Sequence, residues 1–163
     1  MAGFLTDDHS RLDGLLDVAT GTPDAIDLRL YADFRRGLLR HISIEEKLLL
    51  PEAQHAGGGT PLPMAARLRL DHGAIAALLV PTPTPVIVAT LRHILARHNP
   101  IEEGPEGLYA ACDALLAPRA ADLVAEMEAY PNVRVSPHND SEKVMPAVER
   151  ALQRSAYRLV MTG

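Results

Sequence analysis

The sequence predicts an all-α protein: an up-down-up-down four-helix bundle over residues 1–118, with a partly helical C-terminal extension, 119–163, packed on it. Three observations carry this. Aromatic residues are 4% of the chain and β-branched residues cluster only at 86–88 and 133–135, which leaves little to build a sheet from. Apolar residues recur every three or four positions, the helical period. Proline and glycine then divide the chain into helix-length segments joined by short links, and a short link returns the next helix antiparallel to the last. At 163 residues, with 47% hydrophobic and 23% charged residues, the chain can bury one core without disulfides.

The first helix is expected to start at Thr6 as N-cap, with Asp7 and Asp8 at the positive end of its dipole. Leu5, His9, Leu12, Leu16 and Ala19 form its stripe, and residues 20–23 end it. The second starts between Pro23 and Leu28 and runs to Pro51 or Gln54, with Leu30, Phe34, Leu38, His41, Glu45 and Leu48 on one face. Glycines 57–59 break the chain, and Pro61 or Pro63 opens a third helix through Leu79. The proline-threonine segment 81–85 is a stiff connector. The fourth helix covers about 86–116, disturbed at Pro100, where a kink is expected, and loosened at 104–107. Beyond Pro118, residues 120–130 and 142–160 are helical in pattern and 131–139 irregular.

In such a bundle His41, ten residues before Pro51, and His72, nine after Pro63, both lie about 15 Å from the same end. His9 reaches that level only if part of 21–28 is loop. Each of the four helices carries an inward histidine, and two of these have glutamate four residues on: His41 with Glu45, and His98 with Glu102. Residues i and i+4 emerge on one helix face, so each pair offers an imidazole and a carboxylate together. With ten glutamates in the chain, fewer than one of the seven histidines should have this partner by chance. A third pair, His138 with Glu142, falls in the irregular extension and is set aside. His93 is followed at i+4 by Arg97 and is read as a supporting or surface residue. A single histidine on an apolar stripe is ordinarily a hydrogen-bonded core residue. Two His/Glu pairs and one inward histidine on each remaining helix point instead to a metal centre, because six such groups buried without a cation would be costly. Four imidazoles with two carboxylates suit iron, manganese or zinc and disfavour Cu(I). A carboxylate one turn after its own histidine is well placed to bridge two ions, as in other bundles.

These residues resemble the hemerythrin-like, or HHE cation-binding, family. The resemblance rests on Asp8-His9, on His41-Ile42-Ser43-Ile44-Glu45-Glu46-Lys47 running to Pro51, on Leu70-Asp71-His72, and on His98-Asn99 followed by Ile101-Glu102-Glu103 and Leu108-Tyr109. It covers about residues 5–116. It implies a four-helix bundle around a carboxylate-bridged, non-haem pair of iron ions of the Fe–O–Fe type, with manganese or zinc as alternatives. The ligands it implies are His9, His41, Glu45, His72, His98 and Glu102. Many oxygen carriers of the family have a further histidine four residues after that of the third helix; here Ala76 stands there. They also commonly place the second carboxylate one residue later, as aspartate; Glu103 stands there, and Glu102 fits relatives with HxxxE. Two imidazoles per ion imply open positions on both ions and a more reactive or labile site than a carrier's.

Phe34, Leu38, Leu68, Ile75 and Ala76 are expected to wall the site and keep it dry, and Tyr109 to donate a hydrogen bond near it. Glu46 and Glu103 read as solvated helix-face charges, and Cys112 as a small core residue. A net charge of −5 without a basic cluster argues against nucleic-acid and anionic-membrane partners. A single cysteine excludes an internal disulfide and a cysteine metal cage. The start of the chain lacks the pattern of a signal peptide and no apolar run is long enough to span a bilayer, so a soluble cytoplasmic protein is expected. The leading functional expectation is a di-iron protein that binds or senses dioxygen, peroxide or iron. The alternatives are a redox enzyme acting on peroxide or a related oxidant, and a bundle with a structural zinc or single-metal site. Metal release is expected below about pH 6, where imidazoles protonate.

Overall fold

The computed structural model describes residues 1–22 and 25–161, and among these every regular element is helical, apart from an isolated bridge between Thr22 and Ala25. Pro23, one expected boundary of the second helix, lies outside the described residues.

Helix α1 spans Ala2–Ala19, so Thr6 sits inside it rather than capping it. The helix gains its first turn because Met1, Ala2 and Phe4 pack on a buried cluster around Leu5, and the terminal ammonium pairs with Asp113 at 3.3 Å. Helix α2, Leu28–Ile44, is capped by the Asp27 side chain, which accepts from the backbone N–H groups of Arg29 and Leu30. The described residues between α1 and α2 are non-helical, as the depth of His9 requires.

Beyond Ile44 the helix widens into a π-turn, Glu45–Leu49, and then resumes as α3, Leu50–Ala56. The Leu50 N–H bonds the Glu45 carbonyl, five residues back. Pro51 follows at once. It has no N–H to give to residue 47, and its ring would crowd that carbonyl, so a wide turn just before it relieves the conflict.

Helix α4 spans Ala65–Leu78 and α5 spans Pro85–Glu103, with Thr84 capping α5 through Ile87 N–H. Pro100 does not break α5. The break comes at 104–107, and α6, Leu108–Leu115, starts afresh. A Cβ on Gly107 would lie 2.6 Å from the Glu102 carbonyl oxygen, and one on Gly104 2.7 Å from that of Pro100. Glycine is therefore needed there for close backbone approach. The segment read as a loosening of the fourth helix is a tight turn, closed by Gly107 N–H on the Gly104 carbonyl, that seats the start of α6 against the end of α5.

After a 3-10 turn, α7 spans Ala120–Glu128 and α8 spans Val144–Arg154. Residues 130–141 are irregular and held by polar clamps. The Arg40 guanidinium donates to the carbonyls of Met127, Glu128 and Tyr130, Arg35 donates to that of Ser136, and Asp140 accepts from the Thr82 N–H and hydroxyl.

Two apolar clusters organise the core. One gathers Leu12, Leu16, Phe34, Leu38, Ile75, Leu91 and Ile94 with Val148 and Leu152 of α8. The other gathers Leu5, Ile44, Leu49, Leu68, Leu108 and Cys112 with Leu123 and Met127 of α7. Along α1, α2, α4 and α5 the inward histidine falls between residues of one cluster and residues of the other: Leu5, His9, Leu12; Leu38, His41, Ile44; Leu68, His72, Ile75; Ile94, His98, Ile101. A polar layer is thus enclosed between two apolar ones. No helix among the described residues is long and apolar enough to cross a membrane.

Candidate metal centre

The polar layer contains all six residues singled out from the sequence. His9, His41, His72 and His98 are nearly buried, and Glu45 and Glu102 have no exposed surface. Their ligating atoms form two groups, each within 4.8 Å of one another: His9, His41, Glu45 and Glu102 in the first, and Glu45, His72, His98 and Glu102 in the second. The glutamates belong to both. Glu45 Oε1 lies 3.3 Å from His41 Nε2 while its Oε2 lies 3.2 Å from His72 Nε2. Glu102 Oε2 lies 3.4 Å from His9 Nε2 while its Oε1 lies 2.9 Å from His98 Nε2 and 3.4 Å from His72 Nε2. Each carboxylate therefore presents one oxygen to each pair of imidazoles.

The outward ring nitrogens face a second set of carboxylates, always from a different helical segment. Asp8 of α1 lies 2.9 Å from His41 Nδ1, Glu46 of the π-turn 2.7 Å from His72 Nδ1, Asp71 of α4 3.5 Å from His98 Nδ1, and Glu103 of α5 2.6 Å from His9 Nδ1. The ring closes on itself. A residue adjacent to one helix's histidine or glutamate orients the histidine of the next, and a carboxylate on Nδ1 turns Nε2 toward the centre. Arginines back three of them: Arg11 on Asp8, Arg69 on Glu46 and Arg67 on Asp71. Arg67 also lies over the Tyr157 ring, tying the C-terminal extension to Asp71.

Glu46 and Glu103 are thus not idle surface charges, and this corrects the sequence reading. The signal was present as Glu-Glu at 45–46 and 102–103. A second carboxylate next to an inward one points about 100° away on a helix, toward the neighbouring helix. His93 is exposed and meets the Tyr157 ring edge-on, and His138 lies in irregular chain.

Tyr109, from the start of α6, enters the first group. Its hydroxyl donates to Glu45 Oε1 at 2.7 Å and stands 3.3 Å from both His9 Nε2 and His41 Nε2 and 3.4 Å from Glu102 Oε2. Burial and the nearby Glu45 and Glu102 carboxylates hold the phenol strongly in its neutral form. Cys112 stays a buried thiol, pushed up to about 12 by burial and by Asp113 and Glu45.

The electrostatics are those of a centre that needs positive charge. Burial works against charged histidines, but the carboxylates outweigh it. Glu45, Asp8 and Glu102 raise His41 to about 10, and Glu102, Glu45 and Glu46 raise His72 to about 11. His98 is raised against burial by Asp71 and Glu102. Burial opposes ionisation of Glu45 too, yet His41 and His72 hold it well below the ordinary carboxylate range. Even so, Glu45 Oε2, Glu102 Oε1, His72 Nε2 and His98 Nδ1 are buried without a well-aligned hydrogen bond. Three of these four atoms belong to the second group and point at one another. Unpaired buried polar atoms in a nitrogen-and-oxygen donor set fit a divalent or trivalent cation, with sulfur excluded from the set.

A scan against protein-family models, curated proteins and solved structures finds no match to this chain.

Proposed function

We propose that this chain is a hemerythrin-like four-helix bundle that holds two iron ions, bridged by Glu45 and Glu102, and that binds or senses dioxygen, peroxide or iron. The observation that carries the reading is the division of each bridging carboxylate between two pairs of imidazoles. A site for a single ion has no use for four imidazoles split into two sets, each sharing both glutamates. Bound there, the iron pair supplies reversible redox change and open coordination positions.

The chain's own groups do the rest. His9 and His41 face one position, and His72 and His98 the other. Asp8, Glu46 and Glu103 fix ring orientation by accepting hydrogen bonds from Nδ1–H groups, and Asp71 faces His98 Nδ1 across a longer gap. The apolar layers above and below exclude water, which shields the ions from hydrolysis and slows loss of a bound small molecule. Manganese or zinc would satisfy the same donors; redox-inert zinc would give no colour with oxygen, and elemental analysis separates iron from manganese.

Reconstitution with Fe(II) without air, followed by elemental analysis, tests the reading. Two irons per chain and a visible absorption that develops on exposure to oxygen are expected. One ion per chain, or stable colourless zinc that iron cannot replace, would overturn it.

A further inference from the structure

Tyr109 sits too centrally for a hydrogen-bond donor alone. A donor to Glu45 needs one acceptor at a good distance. The Tyr109 oxygen instead has four donor atoms of the first group around it, at 2.7, 3.3, 3.3 and 3.4 Å. For metal bonds of about 2.0–2.2 Å, adjacent ligands on one ion stand about 3 Å apart. All four separations are of that size, so the oxygen occupies the place of a fifth ligand capping the other four. The second group has no such cap: Glu45 Oε2, Glu102 Oε1 and His72 Nε2 lack any hydrogen-bond partner among the described residues.

The backbone is shaped to deliver this side chain. The tight turn at 104–107 accommodates only glycine at positions 104 and 107, and it seats the start of α6 so that the Tyr109 hydroxyl lies 3.4 Å from Glu102, seven residues earlier.

Resting on the dinuclear reading above, we propose that Tyr109 is a metal ligand: its phenolate oxygen coordinates the ion between His9 and His41 and leaves the two ions unequal. On binding, the O–H bond breaks, the proton passes to solvent, and an oxygen lone pair forms the bond to the cation; no electron is transferred. The first ion then has five protein donors and the second four. An exogenous small ligand therefore has room on the ion held by His72 and His98, not equally on both.

The test uses the full chain loaded with Fe(II) and oxidised to the ferric state. Phenolate bound to ferric iron gives an intense visible charge-transfer band with phenolate ring modes in its resonance Raman spectrum. The expected result is two irons per chain with that band, and in Tyr109→Phe two irons per chain with the band lost. Ring-deuterated tyrosine in the wild-type chain should shift the Raman modes, which decides the matter even if Tyr109→Phe fails to fold. Two irons per chain without phenolate modes, or a band that survives in a folded Tyr109→Phe, would overturn the assignment while leaving the dinuclear centre standing. A wild-type chain that takes up no iron would overturn both, and elemental analysis tells the cases apart.

Discussion

The half of the centre built by His9 and His41 and the half built by His72 and His98 share the same two glutamates, yet they are finished differently. In the first half both outward ring nitrogens have short carboxylate partners, at 2.6 and 2.9 Å, and the Tyr109 hydroxyl lies among the inward atoms. In the second half His72 has a short partner, but His98 faces Asp71 across 3.5 Å, and inward atoms remain unpaired. Identical donor types thus produce one position that the protein satisfies by itself and another whose inward atoms stay unpaired. The inward part of the difference comes from α6, whose Tyr109 reaches the imidazoles of the first half only.

The severest break is to remove what the halves share. Glu45→Ala should lose both ions together, since each half gives up an oxygen and His41 and His72 lose their common counter-charge. Elemental analysis reads this directly, and retention of one ion at full occupancy would mean Glu45 is not shared. Next in size are variants confined to one half. His98→Ala should leave about one iron per chain, held on the Tyr109 side. His41→Ala should also leave one, bound more weakly because the second half lacks a fifth donor. Equal affinities for the remaining ion in the two variants would erase the asymmetry.

Proton competition is the next lever. His41 and His72, raised to about 10 and 11 in the metal-free protein, carry protons at neutral pH that a cation must displace. With one histidine proton released per ion, and the Tyr109 proton besides at the first, each ion's apparent dissociation constant should fall at least about tenfold per pH unit between pH 7 and 9. Competition therefore extends well above the pH 6 limit expected from free imidazoles. Metal-free stability runs the other way. Raised histidine pKa values contribute fully below the ordinary 6.5 and fade as pH climbs through about 10 and 11, whereas the lowered Glu45 contributes above the ordinary 4.5 and fades in acid. The gap in melting temperature between loaded and metal-free protein should accordingly widen from pH 6 to pH 9. A constant gap would mean these imidazoles are neutral without metal.

How much of this the sequence discloses depends on whether a residue acts along its own helix or across to another. His41 with Glu45 and His98 with Glu102 are visible because their relation is an i,i+4 spacing, and His9 and His72 because they interrupt apolar stripes. The helical fold is legible for the same reason. The Asp8–His41 and Glu103–His9 contacts join helices whose relative rotation no spacing reports, so Glu103 looks like any exposed charge. The π-turn is hidden as well. Pro51 announces trouble, but not that the helix absorbs it by widening at Glu45. Tyr109 is placed by the tight turn at 104–107, and glycines there read equally as a loose end. The start of α1 escapes because its first turn is held by packing and by the Asp113 ion pair rather than by a capping side chain.

The finest discrimination between the halves comes from the outward carboxylates. Removing a carboxylate that orients a ligating histidine typically weakens metal binding about 10–100-fold. Glu103→Gln and Glu46→Gln should fall in that range, because each gives up a short ionic contact while an amide oxygen keeps the shape. Asp71→Asn should cost less than tenfold, since its contact with His98 is already long at 3.5 Å and much of its charge is engaged by Arg67 at 3.0 Å. The ordering matters more than any single value. Glu103 acts on the half that Tyr109 already caps, so its loss should be partly buffered relative to Glu46, whose His72 faces unpaired atoms. Competition titrations of the three variants against a chelator would rank them Glu46→Gln, Glu103→Gln, Asp71→Asn. A reversed order would place the weak position on the His9–His41 side and invert the asymmetry on which the comparison rests.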